Sequence, residues 1–81
     1  MLYPNPATDE ITFNMYNERY STAKITIYDI IGRKVMPPVE VSNSQSRFTK
    51  TIDIHSLKVG VYLIDIILNN QKRITLEFIK Q

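Results

Sequence analysis

Through the second half of this chain every other residue is large and apolar: Tyr62, Ile64, Ile66 and Leu68 in one stretch, then Ile74, Leu76 and Phe78 in the next. The same beat occurs earlier, in Ile11, Phe13 and Met15, in Ile25 and Ile27, and in Ile52 and Ile54 on either side of Asp53. Successive side chains of a strand point to opposite faces, so a period of two places each set on one face of a β-strand over a core. The residue types agree with the spacing. Ile, Val and Thr number 12, 5 and 7, against two alanines, and branched Cβ atoms suit a pleated surface while crowding a helix. The chain is predicted to be all-β.

Turn residues divide it into six or seven short strands. Pro4 and Pro6 fix an extended start and cannot donate to a ladder, which suits an edge or the approach to a strand. Residues 17–21 form a polar connection, and Asp29–Gly32 reads as a turn leading into a strand over Arg33–Met36. Pro37-Pro38 and the polar run 42–46 bracket a short peripheral strand around Val39–Val41. His55–Gly60 reads as a loop, with room for one helical turn, and Asn69-Asn70 as a two-residue hairpin. These breaks fall where an antiparallel meander needs them. A small antiparallel β-sandwich, immunoglobulin-like in kind, is the natural closure, and 81 residues suffice for one such domain spanning 1–81. The strand over 61–68 also carries Val61, Leu63 and Ile67 on its second face, as a partly covered central strand would or a surface for another protein.

Several functions are excluded by what the chain lacks. A composition 43% hydrophobic and 22% charged is that of a folded domain rather than a disordered tail. No unbroken apolar run, Gly60 to Ile64 included, approaches the ~18 residues of a membrane helix. A net charge of +2, with the charges scattered, gives none of the basic, aromatic-studded face of a nucleic-acid binder. No cysteine and a single histidine, His55, leave no metal set, and no cofactor is expected. Asp53, His55 and Ser56 compose a catalytic triad on paper, but triad members converge from separate elements rather than from one loop. No enzyme is expected. An N-terminal export signal is not visible after Met1, so the protein either stays where it is made or is a piece of something larger. By its residues alone the chain is an interaction module. One reading is an adhesion or carbohydrate-binding module of the immunoglobulin or fibronectin kind, with Tyr16, Tyr20 and Tyr28 as candidates for an aromatic groove. Exposed strand edges would also allow a weak homodimer.

Three stretches, in order, narrow this further. The first is Tyr3-Pro4-Asn5-Pro6-Ala7 before the strand Glu10–Phe13. The second is Ile25-Thr26-Ile27-Tyr28-Asp29-Ile30-Ile31-Gly32-Arg33-Lys34-Val35. The third runs from Ile52-Asp53-Ile54 and Leu57 through Gly60-Val61-Tyr62-Leu63-Ile64 to a turn, the basic pair Lys72-Arg73 and the final Phe78-Ile79-Lys80-Gln81. Together they resemble the type A C-terminal sorting domain of the type IX (Por) secretion system of Bacteroidota, over essentially the whole chain. Two positions depart from the family pattern: Leu76-Glu77 stand where a basic pair is common, and Val59 where proline or alanine is frequent.

The resemblance implies a non-catalytic address label at the C-terminus of a larger secreted precursor. An N-terminal cargo domain would carry the ordinary signal peptide. The sorting domain would then be recognised at the outer membrane by the type IX translocon, and a cell-surface sortase would remove it and attach or release the cargo. The destination implied is the outer membrane, cell surface or medium, by way of the periplasm. Carried over residue by residue, the candidates for sorting function are Pro4, Asn5, Pro6 and Ala7 in the first stretch, and Gly60, Val61 and Tyr62, then Lys72, Arg73 and Lys80, in the third.

Overall fold

The computed structural model describes residues 2–16, 22–42 and 47–81. Among the described residues there are seven strands: β1 (Leu2–Tyr3), β2 (Glu10–Tyr16), β3 (Thr22–Asp29), β4 (Val39–Ser42), β5 (Arg47–Asp53), β6 (Gly60–Leu68) and β7 (Lys72–Lys80). They form two antiparallel sheets, β1-β2-β5 and β4-β3-β6-β7. The all-β sandwich expected from the alternation is what the chain adopts. Its strand order is immunoglobulin-like, with the fourth strand joined to the sheet of β3, β6 and β7.

The connectivity is not the meander that the turn spacing suggests. Hairpins join β3 to β4 and β6 to β7, but β2 is followed by a crossing to the other sheet, and β5 pairs with β2 rather than β4. Strand faces are a local property of the sequence, whereas the choice of partner is not, and two sheets with alternating apolar faces bury more by facing each other.

The inward faces match the alternation. Ile11 and Phe13 of β2 and Ile52 of β5 meet Ala23, Ile25 and Ile27 of β3, Tyr62, Ile64, Ile66 and Leu68 of β6, and Phe78 of β7, all buried. Ile74 and Leu76 pack against this cluster while remaining partly exposed. On the second face of β6, Val61 is exposed, Leu63 and Ile67 are half-buried, and Asp65 is buried. Asp65 accepts a hydrogen bond from Thr75 Oγ1 (3.3 Å) and forms an ion pair with Arg73 Nε (3.3 Å), both on the adjacent strand.

Three local expectations need amendment. Residues 33–36 form no strand: one bridge, Tyr28 with Lys34, and two bonds, Asp29 N–H to the Arg33 carbonyl (2.9 Å) and Val35 N–H to the Ile27 carbonyl (3.1 Å), continue the pairing along β3. Pro37 and Pro38 then interrupt it, because neither can donate, and β4 resumes opposite Ile25. The β6–β7 connection holds three residues, 69–71, since Leu68 pairs with Lys72. Asn69 (φ 50°) and Asn70 (φ 57°) do take the left-handed conformation. The 55–59 segment is a turn, closed by Leu57 N–H to the Ile54 carbonyl (3.0 Å), without a helix. The 17–21 connection and most of the 42–46 run lie outside the described residues.

Candidate functional site: the end of the sandwich where three motifs meet

The first motif is the segment by which the chain changes sheets. Leu2 and Tyr3 pair with Phe13 and Thr12 in the three-stranded sheet. Four residues on, Ala7 is bridged in parallel to Lys80 in the other sheet. Ala7 N–H donates to the Ile79 carbonyl (2.8 Å), and Gln81 N–H donates to the Ala7 carbonyl (2.7 Å). Between these points Asn5 uses its side-chain amide as a short piece of strand. Its Oδ1 accepts from Ile79 N–H (2.9 Å) and its Nδ2 donates to the Glu77 carbonyl (3.3 Å). Pro4 and Pro6 flank it, exposed, and Ala7 is fully buried. An asparagine between two prolines suits this position, because the prolines have no donor to waste and only the Asn5 side chain offers both a donor and an acceptor.

The Gly60-Val61-Tyr62 motif packs on the other side of the same strand end. Gly60, Val61 and Tyr62 pair with Lys80, Ile79 and Phe78. The Tyr62 ring stacks on Phe78 with centroids 5.5 Å apart, and its hydroxyl donates to the Lys58 carbonyl (2.6 Å). A tyrosine near the start of this strand, bonded to backbone a few residues upstream, is the tyrosine corner of immunoglobulin-like sandwiches. Gly60 has φ +157°, which L side chains rarely adopt, so the glycine sets the path by which the loop reaches the corner.

The structure therefore brings seven candidates, Pro4 to Ala7 and Gly60 to Tyr62, beside the last residues of β7, although they are more than fifty positions apart in sequence. Lys80 belongs to this cluster in an unexpected way. It follows Ile74, Leu76 and Phe78 on the inward parity and is 7% exposed, its Nζ reaching the Gln81 carbonyl (2.9 Å). The Lys72-Arg73 pair is elsewhere, at the far end of β7, with Arg73 held to Asp65.

Next to this end lie groups that the sequence marked as a turn but not as part of a site. Asp29 organises the β3–β4 turn: Oδ1 accepts from Ile31 N–H and Arg33 N–H (both 2.9 Å), and Oδ2 from Arg33 Nε (2.8 Å). Asp three residues before glycine is a type I turn signal, and it is present in Asp29…Gly32. The turn holds Ile30 and Ile31 out at 72% and 75% exposure, beside Val59 at 77%, around a depression of about 500 Å³ that Arg33, Lys58 and Tyr62 also line.

The same contacts depress the Asp29 carboxyl below its ordinary 3.8. The Arg33 backbone N–H contributes most, the Arg33 side chain and Ile31 N–H add to it, and burial opposes them. A carboxyl with a lowered folded-state pKa contributes stability in full above its unfolded value and loses it as pH falls through the folded one. Asp29→Asn should thus melt lower than the wild type at neutral pH, with the gap closing below about pH 4. Thermal melts across that range check this, and a gap unchanged at about pH 2 would rule the charge out as its source.

Of the paper triad, Asp53 and His55 do meet, with His55 Nδ1 2.7 Å from Asp53 Oδ1 on an exposed loop, and Asp53 is held below its ordinary range first by the His55 backbone N–H. Ser56 makes no described bond to His55. Of the three tyrosines proposed for a groove, Tyr28 is half-buried on the outer face, while Tyr20 and the Tyr16 side chain lie outside the described residues.

No curated protein matches this chain. One family model does, the secretion system C-terminal sorting domain, and it covers residues 1–81. With the match running over the whole length, the chain belongs to the C-terminal sorting domain family of the type IX (Por) secretion system.

Proposed function

We propose that the domain is a non-catalytic export label that sends an N-terminally attached cargo through the type IX outer-membrane translocon. Residues 1–81 act as one unit at the C-terminus of a larger precursor. A cell-surface sortase then removes the label, and the cargo is attached to the surface or released. The family match over the whole chain carries this reading. The surface we assign to recognition by the machinery is the end of the sandwich, and the lateral proximity of residues 4–7, 60–62 and 77–81 there supports it. Of its exposed members, we assign Pro4, Asn5, Pro6, Val61 and Ile79 to contact, with Gly60, Tyr62 and Lys80 holding them in place.

The test is an export assay in a Bacteroidota host, with a signal peptide and a fluorescent protein placed ahead of Leu2–Gln81. Fluorescence on the surface or in the medium that vanishes without a working translocon is the expected result. A folded, intact fusion held in the periplasm of a translocon-competent strain would overturn the assignment.

A further inference from the structure

The four-stranded sheet ends on β7, and that edge is only partly occupied. Asn5 and Ala7 engage the carbonyl of Glu77, both backbone groups of Ile79 and the N–H of Gln81. Backbone groups alternate in direction along a strand, and these outward-facing partners all fall on odd-numbered residues. The next odd residues toward the hairpin, Thr75 and Arg73, therefore turn their N–H and C=O outward too, as Glu77 does its N–H. Among the described residues no strand pairs with that stretch. The open window is bounded by Asn5 at one end and by the 69–71 turn at the other.

The window is self-complementary. If two copies pair antiparallel about Thr75, the positions facing each other are 75 with 75, 73 with 77 and 74 with 76. All three outward-facing residues then face outward-facing residues, Glu77 offering its N–H, since its carbonyl already accepts from Asn5. Arg73 lies opposite the partner's Glu77 on the outer face, twice by symmetry, and both side chains are exposed. On the inner face the incompletely buried Ile74 meets the partner's Leu76. Moving the register by two residues toward the hairpin pairs Arg73 with Thr75 and forfeits the match, and moving it the other way runs Arg73 into Ile79, whose groups are already taken by Asn5 and Ala7. Natural edges are commonly blunted by charges that repel a second copy. Here the two charges attract one.

We propose that the β7 edge from Arg73 to Glu77 is a pairing site for a second copy of this chain, giving an antiparallel β7–β7 dimer centred on Thr75 and a continuous eight-stranded sheet. The proposal does not rest on the export reading. Three residues a side make a small contact, so the dimer is weak and concentration-dependent.

Sedimentation velocity on the 81-residue protein at low salt tests it by charge exchange. Arg73→Glu and Glu77→Arg each put like charges opposite one another, and each should weaken association by about tenfold or more. An equimolar mixture of the two variants restores opposite charges at both positions and should form a heterodimer. Dimerisation through a surface without these residues would be indifferent to the charges, and exchange of β7 between copies, which keeps Arg73 beside Asp65, would not be rescued by mixing the two variants. A wild type that stays monomeric across the concentration series, single variants that dimerise as well as the wild type, or a mixture that remains monomeric would each overturn the proposal. Should Arg73→Glu fail to fold without its bond to Asp65, Thr75→Pro decides the matter. It removes the central outward donor from an edge position where proline is tolerated, so loss of the dimer in a folded variant supports the pairing and an unchanged dimer refutes it.

Discussion

Replacement of Phe78 by alanine is expected to cost about 3–5 kcal/mol, the range for deleting a fully buried aromatic ring. The ring is completely buried, stacks on Tyr62 and fills the space between β7 and the opposing sheet. A domain of this length holds roughly 4–12 kcal/mol in all, at about 0.05–0.15 kcal/mol per residue, so one substitution removes a quarter of the stability at least. Urea melts measure it directly, and a loss under about 1 kcal/mol would mean that the core closes over the gap. Ile79→Ser is the companion variant. Its side chain is on the outer face and 42% exposed, so its effect on stability should stay within about 0.5–1 kcal/mol. The pair separates fold from signal. Cutting away residues 78–81 would remove a core ring, the buried stem of Lys80 and the bonds to Ala7 together, and a failure of export could then reflect unfolding alone. Failure in Ile79→Ser, with the melt unchanged, would report the signal itself.

Gly60→Ala is expected to destabilise by about 1–3 kcal/mol, the cost of holding a side-chain-bearing residue in a backbone region it avoids. A Cβ placed there meets no atom within 4 Å, so crowding contributes nothing and the whole effect is conformational. Tyr62→Phe, which removes the bond to the Lys58 carbonyl and keeps the ring stack, should cost about 0.5–1.5 kcal/mol. Both act on the same short loop, so the double variant should lose less than the sum of the singles by about 0.5 kcal/mol or more. Strict additivity in denaturant melts would show that the glycine and the tyrosine corner are independent. A neutral Gly60→Ala would show that the loop relaxes to an ordinary conformation.

These positions also mark what could be read from the residues alone. The faces of β2, β3, β6 and β7 were legible because alternation is local and each strand carries several apolar residues in phase. The Asn69-Asn70 turn was legible for the same reason, one residue too short. Pairing was not, because the partners of β5 and of Ala7 are chosen by the burial of whole sheets. The strand over 33–36 was expected from composition; proline at 37 and 38 and the Asp29-centred turn left it one bridge. Lys80 is the instructive case. Its place in the series 74, 76, 78, 80 assigned it to the core side, but its charge suggested the surface, and the stem is buried with only its ammonium tip satisfied by a carbonyl. Asn5 was flagged through the family motif, yet nothing in a lone asparagine discloses that its amide stands in for a strand.

The crossing at residues 5–7 also has a mechanical side. A pull on the chain from the Tyr3 side first peels β1, whose two residues come away from β2 one after the other. It then reaches Asn5 and Ala7, whose four bonds are spread from Glu77 to Gln81 along a strand running in the same direction. Tension along that axis loads those bonds together rather than in sequence. Resistance to force is set by the rate of crossing the unfolding barrier rather than by equilibrium stability. The domain's grip under traction would then depend on how long this small parallel clamp holds, and a cargo tugging from the N-terminal side would test that clamp before it reached the core.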